Sequence, residues 1–272
     1  MKRYFIVSDV HSYYDEFKSA IDRKGFDINN ENHILVVCGD LFDRGKKSLE
    51  LYNFVRSIPE ERFVYIRGNH EDLLFDCFYD IANSRIVSSH HISNGTLSTI
   101  LQLSVIGNFP QYSIAYDIYC IERGDVLDKM PYVLSYIRSK CVPYYEIGDN
   151  ILVHGWIPSI CSDYNIYHAR KSALYDANWR NASEERWKEA RWLNGIDAWA
   201  NGNREDGKTI ICGHWHCSWG WSHIIKDRKE FPPRGEDGWL KSFEPFVNNG
   251  IMAIDACTAY SGIVNCIVID DE

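Results

Sequence analysis

Ile34-Leu35-Val36-Val37-Cys38-Gly39-Asp40-Leu41-Phe42-Asp43-Arg44-Gly45 is the stretch on which the reading of this chain turns. Its continuous apolar run, Ile34 to Cys38, suits a strand buried on both faces. The run leads directly into a glycine and a cluster of charged residues. The same pattern recurs on either side. Upstream, Tyr4 to Ser8 ends in Asp9-Val10-His11; downstream, Phe63 to Ile66 ends in Arg67-Gly68-Asn69-His70-Glu71. Between these runs, Tyr14 to Lys24 carries Phe17, Ala20 and Ile21 at helical spacing with Gly25 as a cap, and Leu49 to Ile58 reads as a helix that stops before Pro59. Strands and helices alternating at this length predict βαβ units and a sheet with parallel pairs.

Further along, Glu71 to Lys140 is mainly helical in pattern, with breaks at Asn94-Gly95 and between Asn108 and Pro110. Strand patterns return at Val142 to Ile147 and Ile151 to Val153, joined by the tight-turn chemistry of Gly148-Asp149-Asn150. A tryptophan-rich helical stretch runs from Trp179 to Trp199. Strands then follow at Thr209 to Cys212, Ile251 to Asp255 and Ile263 to Ile269. These later strands lack regular helices between them, which predicts antiparallel or mixed pairing. No repeat, low-complexity tract or linker divides the chain. The expectation is one α/β domain over 1–272, with α+β character in its second half and helical insertions at about 72–140 and 160–205.

Composition excludes several classes. With 272 residues, 45% hydrophobic and 25% charged, the chain is long enough for a real core and is neither disordered nor fibrous. Lys and Arg total 29 against 38 Asp and Glu, a formal net charge of −9, which argues against a nucleic-acid grip. Asp9 interrupts the N-terminal apolar run too early for a signal peptide, and no stretch offers the continuous apolar length of a membrane span. The nine cysteines are scattered without a CxxC pair, so reduced thiols in a cytoplasmic protein are expected.

The chemistry sits at the strand ends. Residues two apart in an extended chain share a face, so Asp9 and His11 can aim at one ion. Glycine before Asp40 and before Asn69 lets the backbone bend and approach closely. Two more strands end in His154-Gly155 and Gly213-His214-Trp215-His216. Ligands of parallel α/β sheets gather beyond the carboxyl ends of the strands, so five such ends point to one shared site. Two Asp, one Asn and four His are too many for one tetrahedral ion. They suit two divalent cations, with manganese the first expectation and iron or zinc the others. Thiolates play no part.

In order and spacing, the blocks DVH at Asp9–His11, GDLFDRG at Gly39–Gly45, RGNHE at Arg67–Glu71, HG at His154 and GHWH at Gly213–His216 resemble the calcineurin-like metallophosphoesterases. The closing Ala253-Ile254-Asp255 and Tyr260-Ser261-Gly262 look like that family's final strand pair, whereas 72–150 and 156–208 have no match. The resemblance implies a β-sandwich of two mixed sheets flanked by helices. It also implies Asp9, His11 and Asp40 on a first metal, and a bridging Asp40 with Asn69, His154 and His214 on a second. His216 would join the first metal, as in the wider family but not in its phosphoprotein phosphatases. Two ions roughly 3.5–4 Å apart would lower the pKa of a water and neutralise phosphoryl oxygens during in-line attack. His70 would then be the general acid, oriented and kept charged by Asp43. Arg44 offers a planar fork to phosphate, Asn69 also faces it, and a second arginine is expected after His154. Arg170, Arg180 and Arg191 are the candidates, with Arg191 preferred, while Arg67 reads as structural.

The blocks GDxxDRG and GNHE favour a serine/threonine protein phosphatase acting on phosphorylated protein or peptide. The alternative is a bis(5'-nucleosyl)-tetraphosphatase or another nucleotide phosphohydrolase acting on a small phosphate ester. Such enzymes typically carry GNHD where this chain has Glu71. A metal-loaded binding module without turnover would have lost the proton donor or its partner, yet His70 and Asp43 are both present. All nine tryptophans lie after residue 155. A second hydrophobic core explains them more simply than an aromatic wall for a base or peptide, which Trp215, Trp219 and Trp221 could otherwise form.

Overall fold

The computed structural model describes residues 1–104, 123–161 and 173–271. The expected break between Asn108 and Pro110, and Arg170, lie outside them. The first apolar runs form β1 (Lys2–Val7), β2 (His33–Cys38) and β3 (Phe63–Ile66), within two residues of their predicted bounds. The helices α1 (Tyr14–Arg23) and α2 (Ser48–Ser57) connect them. Beyond β3 come α3 (Asn69–Ala82), α4 (Ser89–Ser93), α5 (Thr96–Leu103) and the helix Arg123–Lys140, as the helical pattern predicts.

Two five-stranded sheets result. Short strands β4 (Cys141–Val142), β5 (Tyr145–Ile147) and β6 (Asn150–Leu152) follow the long helix. A small hairpin of β7 (Ile160–Cys161) and β8 (Ala173–Leu174) comes next. The chain then forms β9 (Thr209–Cys212), β10 (Phe246–Asn248), β11 (Ile251–Ala253) and β12 (Cys266–Asp271). The first sheet runs β12-β1-β2-β3-β4, and the second β10-β11-β9-β6-β5. In each, the central strands are parallel and an antiparallel partner sits at the margin, so both sheets are mixed. Val142 to Ile147 is not one strand as predicted. Pro143 has no N–H to extend a ladder, and the chain crosses there from the first sheet to the second.

The period-two alternation of β1 and β2 separates two cores. Phe5, Val7, Leu35 and Val37 pack under the helices of the first half. Tyr4, Ile6, Ile34, Val36 and Cys38 meet Leu152 and Ile211 of the other sheet and Ile254 just beyond β11, so the sheets face each other. A third core covers the outer face of the second sheet with Trp156, Trp179, Trp187 and Trp199, the simpler explanation for the tryptophans. The predicted helix from Trp179 to Trp199 is broken into short pieces, Glu184–Ala190 and Gly195–Ala200. Among the described residues seven cysteines are free, five of them buried, and no helix is long and apolar enough to cross a membrane.

Candidate metal centre

Five parallel strands, three from one sheet and two from the other, deliver the predicted residues to one seam. The loop after β1 is zipped to the loop after β2 by Asp9 N–H to Gly39 O, His11 N–H to Asp40 O and Ser12 N–H to Leu41 O. Such close contact bends the backbone. Asp9, His11, Asp40, Asp43, Arg44 and His214 all have φ between 51° and 76°, the left-handed region that ordinary side chains avoid. Each costs about 1–2 kcal/mol, and strain concentrated this way accompanies function. Glycine is needed at the two positions the sequence flagged. Gly39 has φ +79°, and a Cβ on Gly68 would overlap the Asp40 carboxylate.

Asp40 occupies the centre. Its Oδ1 accepts from His70 N at 2.9 Å and stands 3.3 Å from His154 Nε2, while Oδ2 is 3.8 Å from His11 Nε2 and 3.9 Å from His70 Nε2. Two triads share it, His11–Asp40–His70 and Asp40–His154–His214, each with donor atoms within 4.8 Å of one another. Asn69 Oδ1 lies 2.8 Å from His154 Nε2. Asp9 turns Oδ2 to Ser8 Oγ (2.5 Å) and to the His214 amide (2.9 Å), leaving Oδ1 4.0 Å from His11 Nε2. These donors suit divalent cations. The Nδ1 atoms of His11 and His154 are occupied by the carbonyls of Phe42 (3.0 Å) and Cys38 (2.8 Å), which frees Nε2 for an ion. Two buried carboxylates and these imidazoles form the mixed oxygen and nitrogen set that such ions take.

The electrostatics show how much charge the seam confines. Burial pushes the Asp9 carboxyl up to about 6, and Asp40 adds to the rise against the pull of His154. Burial would raise Asp40 too, but His154, His70 and His11 surround it and hold it well below the usual carboxylate range. For His154, burial is outweighed by Asp40, by direct contact with it and by Asp9, which push the imidazole up to about 10. Burial and His154 together take His214 down to about 3. Asp255 lies at the same seam, and burial with Asp9 nearby holds it well above the carboxylate range.

His70 and Asp43 form a second unit at the rim. His70 Nδ1 is 2.7 Å from Asp43 Oδ2, and Nε2 is 3.3 Å from Nη2 of the exposed Arg44. Burial would lower this imidazole, but Asp40 and the Asp43 contact overcome it and hold it above its ordinary value. Sequence reading missed what positions Asp43. Thr96 Oγ1 donates to Asp43 Oδ2 at 2.7 Å, and Asp43 N–H donates to Thr99 Oγ1 at 3.0 Å. Both threonines lie in α5, directly after the Asn94-Gly95 break that was the visible cue.

Glu71 turns out to be an anchor for loops. Fully buried, it accepts from the amides of Asp40 (3.0 Å), Leu41 (3.0 Å) and Gly68 (2.7 Å) and from Tyr65 Oη (2.6 Å). The Glu in GNHE therefore reports on loop geometry and has no contact that would select a substrate. Glu71→Ala orphans four buried donors and is expected to lower unfolding free energy by about 3–5 kcal/mol in a denaturant titration. A loss below 1 kcal/mol would show that the loops hold without it.

Two predicted residues are placed elsewhere. Arg191 is buried with Nε 2.7 Å from Asp72 and Nη2 2.7 Å from Glu184, in a network that Arg67 joins through both carboxylates. Two carboxylates thus compete for its guanidinium with the phosphate that the sequence reading expected it to take, while its buried Nη1 has no hydrogen-bond partner. Arg180 is likewise engaged with Glu146 and Glu205. His216 enters neither triad. Its Nδ1 contacts Ser218 Oγ at 2.8 Å and its Nε2 faces Glu230 at 3.5 Å, because the chain turns away after His214. Trp192 packs edge-on against His214, while Trp215 stacks on His216.

Comparison with known proteins agrees with this geometry. A family model described as calcineurin-like phosphoesterase matches residues 2–223. The asymmetrical bis(5'-nucleosyl)-tetraphosphatase PrpE of Bacillus subtilis (strain 168) is 42% identical over 79 residues, covering 26% of this chain and 32% of that protein. The symmetrical bis(5'-nucleosyl)-tetraphosphatase of Buchnera aphidicola subsp. Baizongia pistaciae is 35% identical over 85 residues, covering 31% and 29%. The chain spans about a third of the length of these curated relatives. A crystal structure of a mutant cold-active protein tyrosine phosphatase has a TM-score of 0.50 at 15% identity, covering 100% of this chain and 76% of that one, a likeness of fold.

Proposed function

The chain belongs to the calcineurin-like phosphoesterase family, a family of hydrolases that generally bind two divalent metals, and from that premise we propose that it cleaves small phosphate esters of the dinucleoside polyphosphate class. The observation that carries the phosphoesterase chemistry is the buried His70–Asp43 pair beside Asp40, the carboxylate around which His11, His154 and His214 also gather. The substrate class rests on the relatives named tetraphosphatases, while Glu71, as a loop anchor, offers no contact that would favour a phosphoprotein.

Asp9, His11, Asp40, Asn69, His154 and His214 are the proposed ligands, with manganese the first choice of metal. Two divalent ions held there would supply an acidified water and neutralise phosphoryl charge. The chain's own residues do the rest. Asp43, braced by Thr96 and Thr99, fixes the His70 ring through Nδ1 and favours its charged form. The proton at Nε2 is then available to the leaving oxygen of the ester. Arg44, exposed at the rim beside that nitrogen, pairs with phosphate oxygens and holds the ester in reach.

A serine/threonine phosphatase remains the second reading, favoured by the GDLFDRG block. Manganese-loaded protein assayed in parallel on diadenosine tetraphosphate, a phosphopeptide and a phosphodiester separates the two. Hydrolysis of the tetraphosphate at a kcat/KM at least about tenfold above the others, abolished by a chelator, is the expected result. Preference for the phosphopeptide overturns the substrate class. Inactivity on every ester after metal loading overturns the phosphoesterase reading.

A further inference from the structure

From the metal centre, ring contacts continue in one series towards solvent. Trp215 follows His214 directly, with ring centres 6.0 Å apart, and stacks on His216 at 6.2 Å. Phe231 packs against His216 at 4.9 Å, and Tyr260 meets Phe231 edge-on at 5.3 Å. These last two rings are each 47% exposed. Phe231 is the one aromatic residue in the strongly charged segment 227–237, so its exposure does not belong to a general apolar surface. A second path also leads from the seam to the same pair. The Cys217 amide donates to the Asp255 carbonyl at 2.8 Å, which bonds the segment after His214 to the segment after β11. From Asp255 the chain passes through Cys257, at φ 53°, into the short helical turn Thr258–Ser261 that carries Tyr260. Burial and Asp255 push the Cys257 thiol up to about 12 against the pull of Arg44, which sets that rim arginine near the same turn.

Both exposed rings are held in place. Tyr260 Oη donates to the Pro232 carbonyl at 3.2 Å, and the buried Phe243 backs Tyr260 at 5.8 Å. Phe231 is followed by Pro232 and Pro233, which stiffen its loop. A ring fixed at half exposure offers apolar area to a ligand without first losing rotamer freedom. Arg234 adds a cation beside the turn, its Nη2 3.5 Å from the point that a Cβ on Gly262 would occupy.

We propose that Phe231 and Tyr260 form a nucleobase subsite, on which one base of a dinucleoside polyphosphate stacks while its phosphate chain runs past Arg234 and Arg44 to the metal centre. This subsite rests on the substrate class proposed above and deepens it. A base has a flat π surface for an aromatic ring, and such stacking commonly changes affinity by about tenfold or more. The side chain of a phosphorylated serine or threonine has no ring to place there, so the platform favours nucleotides.

Binding with and without the base tests the subsite. Manganese-loaded full-length protein is titrated calorimetrically with ADP and with methyl diphosphate, a diphosphate monoester that lacks the nucleoside. The wild type is expected to bind ADP at least about tenfold more tightly. Phe231→Leu keeps an apolar side chain but no π face, and should bring that ratio close to one. Phe231→Tyr should restore it. Matching melting curves establish that the variants are folded. A wild type that binds both ligands alike, or a Phe231→Leu chain that keeps the preference, overturns the subsite. Hydrolysis of diadenosine tetraphosphate is followed on the same proteins, where the Phe231→Leu loss should fall on KM rather than on kcat. A wild type that prefers ADP yet leaves the tetraphosphate uncut supports the subsite and overturns the substrate class instead.

Discussion

His70→Asn is expected to lower kcat by about 10²–10⁴-fold while the bound metal stays at the wild-type level. Asparagine is close in shape to imidazole and can still donate to Asp43 from its amide, so the buried carboxylate keeps a partner. It cannot release a proton. His70 contributes its backbone amide to Asp40 regardless of side chain, at 2.9 Å, so the central carboxylate should hold its position. The leaving group makes a further distinction. An ester whose leaving oxygen is strongly acidic needs no proton, so an activated aryl phosphate should recover most of the lost rate in the variant. Equal losses on activated and ordinary esters, or full activity on both, would remove His70 from the acid role. Metal analysis run beside the kinetics separates loss of the acid from loss of the site.

Asp40→Asn should lose both the metals and the activity, with turnover falling by at least about 10³-fold. Asp40 is the one side chain shared by the two triads, and three imidazoles stand within 3.9 Å of its oxygens. Asparagine preserves the acceptor for the His70 amide but removes the charge and one of the two anionic oxygens. Outer partners of metal ligands alone cost 10–100-fold in affinity when removed, so loss of a shared ligand should exceed about 100-fold. Circular dichroism should be unchanged, because β2 is held by its apolar residues and by pairing on both sides. Retention of both central ions by the variant would refute the bridging role.

Much of the centre is legible in the sequence because its residues follow apolar runs directly. Ile34 to Cys38 suits a strand buried on both faces, and Asp40 follows it by two residues. The same reasoning locates Asp9, Asn69, His154 and His214. What stays hidden are partners that arrive from far along the chain. Thr96 reaches Asp43 across 53 residues and Asp72 reaches Arg191 across 119, and no local pattern announces either contact. Arg191 is therefore read as a free cation when two carboxylates engage it. His216 misleads for a different reason. The family resemblance puts it on the first metal while His214 serves the second, but a left-handed turn at His214 with φ 64° rotates the chain, and the imidazole of His216 faces Glu230 of the following loop instead. The split at Pro143 is visible only as a proline, and the two halves part because Cys141–Val142 pairs back to the distant β3 while Tyr145–Ile147 pairs with the following β6.

The hydrogen bond from the His214 amide to Asp9 joins residues 205 apart, and His154 reaches the Cys38 carbonyl across 116. In folding terms, the seam is assembled from some of the most distant contacts in the chain, which form late and slow the reaction. β9 lies between β11 and β6 at the middle of the second sheet, so the sheet cannot close before it emerges. A nascent chain that has progressed just past β6, as far as His154, already carries Asp9, His11, Asp40, Asn69 and His154. It still lacks the amide that orients Asp9 and the strand that brings His214. Cations that bind only the finished seam then act as a latch on folding, adding about 2.7 kcal/mol at a concentration 100 times their dissociation constant.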